Sequence, residues 1–249
     1  MGKITDIHKE IIQQQQALKT TTKSTTIKIK PLFDSKEVRI KFVERLDWRI
    51  KQRSKGGKGL ILNDEIEEVI ELVCQHLNNE TQFELDGRSL NKGLMLGGKT
   101  GSGKTEIMQT YQDFMKQMIG KECGFVRCQD MNDAFQEIDK GNNERKRYFG
   151  IQPFISATSS VERIFDELGH EETTINDYGN KFSVMPYIFS KRYDNRSTCG
   201  RTHATTNMSK ASLLDKYGSR IESRFHEMFN FIGLGVNEDS IDHRKKITL

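Results

Sequence analysis

Long apolar runs and paired cysteines are both missing from this sequence of 249 residues. No segment reaches the roughly 18 consecutive apolar residues that a membrane-spanning helix needs, and the N-terminus lacks the apolar core of a secretion signal. The cysteines are Cys74, Cys123, Cys128 and Cys199, which do not have the two-pair spacing of a zinc site. We therefore expect a water-soluble, cytoplasmic protein with no membrane partner, whose cysteines are reduced and buried.

Positive charge is concentrated at the N-terminal end of the chain. The net charge is +4 overall, whereas residues 1–55 contain fourteen Lys and Arg against six Asp and Glu. A basic arm suits an anionic partner, either nucleic acid or the acidic face of a protein, although a solvated tail has the same composition. Residues 1–31 also include glutamine-rich and threonine-rich stretches that can bury little surface.

A basic amphipathic helix is predicted to begin after Asp34 or Ser35, which are candidate N-caps. Its apolar stripe consists of Val38, Phe42, Leu46 and Ile50, and Lys and Arg lie between these residues. Such a stripe within a basic surround suits docking onto a partner protein. The Gly56-Gly57 pair that follows is typical of a hinge or linker.

Beyond that hinge, helical and strand patterns alternate along the chain. Helices are predicted after Asn63, over Thr105–Ile119, Met131–Ile138 and Tyr187–Tyr193, and over most of Ser209–Phe229. Strands are predicted over Gly93–Leu96, Gly124–Arg127, Val161–Phe165 and Cys199–Thr206. The alternation predicts an α/β fold, in which a mainly parallel sheet has helices on both faces.

The strongest functional signal matches G-x-x-x-x-G-K-[ST] in full, follows a predicted strand and opens a predicted helix. Its residues are Gly98, Lys99, Thr100, Gly101, Ser102, Gly103, Lys104 and Thr105. The glycines let backbone N–H groups point at phosphates, and the helix N-terminus adds positive potential. Lys104 can reach the β- and γ-phosphates, and the Thr105 hydroxyl can bind Mg²⁺. The segment predicts a nucleotide site with ATP and Mg²⁺ as cofactors.

Two adjacent carboxylates end a later strand. Asp166 is a candidate Mg²⁺ ligand, often acting through water, and Glu167 would orient and polarise the attacking water. This pair suits hydrolysis better than nucleotide storage. Glu162 and Arg163 interrupt the apolar pattern of the same strand, and Asp166-Glu167 would also suit the first turn of a helix.

Further polar residues are candidates for contacting the γ-phosphate. Asn207, beside Thr206, ends the next predicted strand, where either residue could touch the phosphate or its water; a turn or helix cap is the alternative. Arg220 and Arg224 share one helical face. One of them could enter a neighbouring subunit's site as an arginine finger, whereas a surface salt bridge, for example from Arg224 to Glu227, is the alternative.

Taken in this order, the motifs resemble the helicase-loader and transposition-helper branch of the AAA+ ATPases, the DnaC/DnaI and IstB-like group. The resemblance covers roughly residues 85–235. It is carried by Gly98 to Thr105, Phe165 to Gly169 with Glu171, Tyr178-Gly179-Asn180, Lys191-Arg192-Tyr193, Thr202 to Asn207 and Tyr217 to Arg224. The P-loop occurs in many families, but Thr-Thr-Asn followed by Tyr-Gly-x-Arg-x-x-Ser-Arg is much more specific.

The resemblance implies a P-loop AAA+ fold, a three-layer sandwich preceded by a small, helical, basic N-terminal region. Residues 1–57 would be a partly disordered partner-binding region, and residues 58–249 the ATPase domain. It also implies ATP-dependent homo-oligomerisation, contact with single-stranded DNA, and a replicative helicase or transposase as partner. By the same resemblance, Lys104 and Thr105 bind phosphate and Mg²⁺, Asp166 and Glu167 are the Walker B pair, Asn207 is the sensor, and Arg220 is the finger with Arg224 supporting it.

The leading functional expectation is an ATP-driven loader that delivers a replicative helicase onto DNA. A transposition helper is the nearest alternative, and the two share the ATPase core. A small-molecule P-loop kinase is an alternative of another class. The sequence has no evident lid of clustered arginines and no acceptor-binding motif, and Asp166-Glu167 suits activation of water.

Overall fold

The computed structural model describes residues 31–54, 57–131, 133, 161–171, 175–177 and 180–235. The chain divides into two units, Met1–Lys30 and Pro31–Leu249, and every feature below belongs to the second. The first 30 residues, most of the helix predicted over Met131–Ile138 and the Tyr178-Gly179 pair lie outside the described residues.

Parallel strands form a five-stranded central sheet. Its members are β1 (Gly93–Gly97), β2 (Cys123–Arg127), β3 (Glu162–Leu168), β6 (Thr202–Thr206) and β7 (Phe229–Gly233), in the order β2-β3-β6-β1-β7. A separate antiparallel hairpin pairs β4 (Ile175–Asp177) with β5 (Asn180–Phe182). Because β1, β6 and β3 are adjacent and parallel, their carboxyl ends lie side by side, where open α/β sheets bind ligands.

Helices connect and cover these strands. The structure describes α1 (Ser35–Arg53), α2 (Asp64–Leu77), α3 (Lys104–Gln117), α4 (Val184–Asp194), α5 (Arg196–Cys199), α6 (Lys210–Tyr217) and α7 (Ser219–Met228), with a 3-10 turn at Thr81–Glu84. Asp34 caps α1 by accepting a 3.0 Å hydrogen bond from the Glu37 N–H, and Asn63 caps α2 through the Ile66 N–H at 2.8 Å. The predicted cap at Asp34 is confirmed, and the second helix begins after Asn63 as predicted. None of the described helices is long and apolar enough to cross a membrane.

Each face of the sheet has its own apolar core. Leu94 and Leu96 of β1 are buried with α1, α2 and α3, whereas Met95 is buried with α4, α6 and α7. Successive side chains of a strand point to opposite faces, so the unbroken run Leu94-Met95-Leu96 suits a strand covered on both sides. The predicted three-layer α/β sandwich with a parallel sheet is confirmed.

The strand β7 and the β4–β5 hairpin were not predicted from the sequence. Helix α7 passes directly into β7 at Phe229 with no glycine or proline between them, so its pattern gave no stop signal. Asn230 also interrupts the apolar run of β7. Its buried side chain donates to the carbonyls of Ser89, Lys92 and Gly93, which is how a polar residue is accommodated at this position.

The amphipathic helix α1 packs onto the same domain as the P-loop. Val38, Phe42 and Leu46 are 2%, 0% and 1% exposed and belong to the core formed with α2, α3 and the sheet. The stripe that the sequence assigned to partner docking is therefore covered within the chain. The partner-binding role of residues 1–57 stays a prediction, while the described residues of α1 pack directly on α2, α3 and the sheet.

Arginines of α1 face the P-loop helix rather than solvent alone. Arg45 and Arg49 both donate to Asp113 of α3, and Arg53 forms an ion pair with Glu106. These three arginines belong to the basic arm that was expected to suit an anionic partner, either nucleic acid or the acidic face of a protein. They are instead engaged with acidic side chains of α3, which corrects that expectation for these three positions.

Candidate nucleotide site

The P-loop links the carboxyl end of β1 to α3. It leaves β1 at Gly97, and its backbone at Gly98 approaches Leu234 so closely that a Cβ on Gly98 would lie 1.6 Å from the Leu234 carbonyl oxygen. The backbone φ is positive at three glycines of the loop, with values of 152° at Gly98, 87° at Gly101 and 93° at Gly103. Residues other than glycine rarely adopt such values. The glycine spacing of the motif therefore meets a conformational need of this loop.

Lys104 lies inside the loop, as its first-turn position in α3 predicts. Its Nζ donates to the carbonyl oxygens of Gly98 and Lys99, both at 2.7 Å, and to Ser102 Oγ at 3.3 Å. The residue is 6% exposed. A buried ammonium enclosed by the P-loop can bind an anion that enters the loop.

Thr105 and Asp166 meet across the carboxyl ends of β1 and β3. The Thr105 hydroxyl lies 3.0 Å and 3.2 Å from the two carboxylate oxygens of Asp166. Thr205 of β6 donates a shorter bond, of 2.6 Å, to Asp166 Oδ1. Burial raises the pKa of Asp166 above its ordinary value, and the hydrogen bonds from Thr205 and Thr105 offset part of that rise.

Glu167 lies on a bulge of β3. Between Phe165 and Leu168, β3 contains one residue more than the facing segment of β6, so the register shifts. Glu167 has a φ of 59°, which is uncommon outside glycine. The expectation that Asp166-Glu167 could open a helix is thereby excluded, since both residues belong to β3.

The end of β6 supplies the next set of polar groups. Asn207 Nδ2 contacts His170 Nε2 at 3.0 Å, immediately beyond the carboxylate pair. Thr206 instead turns inward, where its hydroxyl donates to the Leu168 carbonyl at 2.7 Å and accepts from the Met208 N–H. Of the two strand-end candidates, Asn207 is therefore the one that remains partly accessible at this edge.

A buried acidic residue connects this edge with the turn before α7. Glu171, 2% exposed, accepts hydrogen bonds from the Gly169 N–H at 2.9 Å and from the Tyr217 hydroxyl. Lys216 Nζ donates to the carbonyl oxygens of Gly169 and Glu171. Burial and the neighbouring Glu171 raise the pKa of Tyr217, so the phenol stays a hydrogen-bond donor. Sequence reasoning gave this cluster no role.

Arg220 and Arg224 lie on α7 in different surroundings. Arg220 is exposed, and within the described part of the chain it has neither a hydrogen bond nor an ion pair. Arg224 packs over the Tyr193 ring at 4.8 Å and contacts Asp194 at 3.4 Å rather than Glu227. The structure thus brings Thr105, Asp166 and Glu167 together, whereas neither arginine contacts them within the described part of the chain.

No family model matches this chain, and no curated protein matches it in sequence. Solved structures do match. The DnaC helicase loader superposes with a TM-score of 0.53 and 21% identity, over 70% of this chain and 93% of that chain. DnaI superposes with a TM-score of 0.51 and 18% identity, over 79% of this chain and 93% of that chain.

The chain has a P-loop AAA+ fold. The resemblance to the DnaC/DnaI group that the motifs predicted is confirmed at the level of this fold. The AMPPCP-bound DnaA of Aquifex aeolicus is also similar, with a TM-score of 0.49 and 20% identity over 73% of this chain and 50% of that chain.

The residues at the carboxyl ends of the strands of this AAA+ sheet fit ATP and Mg²⁺ chemically. The loop has glycines at the positions where a side chain would be strained, and the hydroxyl and carboxylate oxygens of Thr105 and Asp166 are the hard donors that Mg²⁺ prefers. Sequence reasoning counted Thr205 within the Thr-Thr-Asn pattern but gave its hydroxyl no role at this site. Only the pairing of β3 with β6 brings it to Asp166.

Proposed function

We propose that this chain is an ATP-dependent loader that delivers a replicative helicase onto DNA and contacts single-stranded DNA. The observation that carries the nucleotide part is the 3.0 Å contact between Thr105 and Asp166, which unites two motifs 61 residues apart with Glu167 beside them. The loader part is supported by the motif pattern and by the likeness to the DnaC helicase loader and DnaI.

In the proposed reaction each site residue has one task. The P-loop N–H groups and Lys104 would bind the phosphates of ATP, and Thr105 with Asp166 would hold Mg²⁺. Bound Mg²⁺ neutralises negative charge on the β- and γ-phosphates. Glu167 orients the attacking water and polarises it, and Asn207 contacts that water or the γ-phosphate.

Lys104 is held so that a phosphate can replace its present acceptors. The ammonium currently bonds two loop carbonyls, which are neutral acceptors, and a phosphate oxygen is a stronger, charged one. Exposed Arg220 would act in a neighbouring subunit of an ATP-dependent homo-oligomer, since it lies apart from the carboxylates of its own subunit. Arg224, packed on Tyr193, supports α7.

The test uses the purified full chain with Lys104→Ala and Glu167→Gln, measured for ATP-analogue affinity and phosphate release. We expect Lys104→Ala to lose nucleotide binding. Glu167→Gln should bind within about threefold of wild type and lose about 100-fold or more in turnover, because only water activation is removed. Full turnover in Glu167→Gln would contradict the proposed hydrolysis site.

The same preparations separate the loader from its alternatives. Radiolabelled γ-phosphate should appear as inorganic phosphate; its appearance on a small metabolite would favour a kinase. The host's replicative helicase should co-purify with the chain in the presence of ATP. Co-purification of a transposase in place of the helicase would favour the transposition helper.

A further inference from the structure

One hydroxyl contacts both members of the carboxylate pair. Thr205 Oγ1 donates to Asp166 Oδ1 at 2.6 Å and accepts from the Glu167 backbone N–H at 3.0 Å. Thr205 is 1% exposed and lies one residue before the end of β6, where it pairs with Leu96 of β1. Its hydroxyl therefore joins β6, the strand that pairs with the one leading into the P-loop, to two successive residues of β3.

The second of these bonds falls on the strained residue of the site. Glu167 has the positive φ of the β3 bulge, a conformation that is strained for a residue with a side chain. In the regular part of the ladder, backbone carbonyls satisfy the strand N–H groups, but the register shift breaks that pattern between Phe165 and Leu168. Here a side-chain hydroxyl accepts from the Glu167 N–H.

We infer that Thr205 is a positioning residue for ATP hydrolysis, which orients the Asp166 carboxylate and holds Glu167 in its bulged conformation. The inference rests on the proposed function. The hydroxyl donates its single proton to Asp166 and uses a lone pair to accept the bond from the Glu167 N–H. A methyl group of the same size fills the space and makes neither bond.

Two substitutions of Thr205 separate the effect of its hydroxyl from that of its shape. Thr205→Val keeps the β-branched shape and removes the hydroxyl, whereas Thr205→Ser keeps the hydroxyl. Thr202→Val is the matched control, because Thr202 lies in the same strand and is fully buried. The Thr202 hydroxyl also makes two hydrogen bonds: it donates to the Thr198 carbonyl and accepts from Arg192 Nε. It lies at the opposite end of β6 and touches neither carboxylate.

Turnover and nucleotide affinity are measured first, on the full chain. We expect Thr205→Val to bind ATP analogue within about threefold of wild type and to lose at least about tenfold in kcat, since ground-state binding by the P-loop is untouched. Thr205→Ser should recover kcat to within about threefold. The inference is overturned if Thr205→Val turns over normally, or if Thr202→Val loses as much kcat as Thr205→Val does.

Amide exchange provides a readout that does not need turnover. The Glu167 N–H, followed by NMR in the absence of nucleotide, should exchange about tenfold faster or more in Thr205→Val, and at nearly the wild-type rate in Thr202→Val and Thr205→Ser. Unchanged exchange in Thr205→Val would overturn the positioning role even in an active enzyme. Absence of any ATP turnover in wild type, with the exchange effect intact, would refute the proposed function and leave the local positioning standing.

Discussion

Arg49 donates two hydrogen bonds, of 2.8 and 3.1 Å, to a single carboxylate oxygen of Asp113. This contact ties α1 to α3, the helix that begins at the P-loop lysine. Arg45 reaches the same oxygen at 2.8 Å, and Arg53 reaches Glu106 in the first turn of α3. Because these pairs are partly exposed, each one contributes modestly, and burial of the apolar stripe of α1 is the larger stabilising term.

The first prediction concerns that stripe. Phe42→Ala should lower the free energy of unfolding by about 3–5 kcal/mol, because the ring is 0% exposed and its removal leaves a cavity. Ile40→Ala on the same helix should change it by no more than about 0.5 kcal/mol, since Ile40 is 49% exposed. Urea unfolding of the two variants gives the comparison. Equal, small effects would show that α1 is not part of the core.

Truncation follows from the same packing. Removing residues 1–55 deletes Val38, Phe42 and Leu46 from the core, so the product should unfold at a markedly lower temperature and bind ATP poorly. Removing residues 1–30 keeps every described element and should leave the thermal midpoint and ATP affinity close to those of the full chain. Thermal unfolding and ATP titration of both products test this, and a stable, ATP-binding product lacking residues 1–55 would contradict it.

A further prediction concerns the backbone of the P-loop. Gly98→Ala should abolish ATP binding or weaken it greatly, because the new Cβ would collide with the Leu234 carbonyl at 1.6 Å and force the loop to move. Gly87→Ala is the control, since Gly87 also has a positive φ, of 75°, but nothing lies near its added Cβ. Titration with a fluorescent ATP analogue should find Gly87→Ala close to wild type. Normal binding by Gly98→Ala would mean that the loop tolerates a side chain there.

Complementation between subunits tests Arg220. Arg220→Ala should bind ATP normally and fail to hydrolyse it, because the substitution leaves its own nucleotide site intact and removes the arginine from a neighbouring subunit's site. Mixed with Lys104→Ala, it should regain part of the turnover, since one mixed interface contains both intact halves. Arg220→Lys should restore little, because an ammonium lacks the planar fork of a guanidinium. If hetero-assembly occurs and the mixture stays inactive, Arg220 does not act between subunits.

The last prediction is a pH dependence of stability. His76 is buried, its Nε2 donates to the Lys92 carbonyl at 2.8 Å, and its ring also faces Tyr111, Phe83, His203 and, through Tyr111, Glu162. Burial, reinforced by His203, lowers the pKa of His76 to about 4. A depressed folded-state pKa means that stability is complete above the unfolded value of about 6.5 and is lost as the pH falls toward 4.

We expect the titration of His76 to make the free energy of unfolding about 2 kcal/mol lower at about pH 5 than at about pH 7. His76→Gln, whose side-chain amide can still donate to the Lys92 carbonyl, should flatten that slope even if it lowers stability at neutral pH. Urea titrations at the two pH values measure both quantities. An unchanged slope in His76→Gln would assign the acid sensitivity to other groups.

The predictions from sequence succeeded where local physics sufficed. The P-loop needs glycines at fixed positions and a helix immediately after them, so residues 98–105 specify their own conformation. The predicted side-chain cap of α1 depends on a contact only three residues away. The alternation of apolar strands and amphipathic helices was enough to predict a parallel sheet covered on both faces.

Tertiary structure decided what depends on distant pairing. Glu162 looked misplaced in a buried strand, yet it accepts hydrogen bonds from His203 and Tyr111, which lie 41 and 51 residues away. The pairing of β3 with β6 likewise puts Thr205 beside Asp166 and Glu167, whereas spacing along the chain gave no sign of it. Packing of α1 on α3 used the apolar stripe and three arginines that, from periodicity alone, were equally suited to a partner. A periodic pattern specifies that a face will be buried, but only the folded chain determines what buries it.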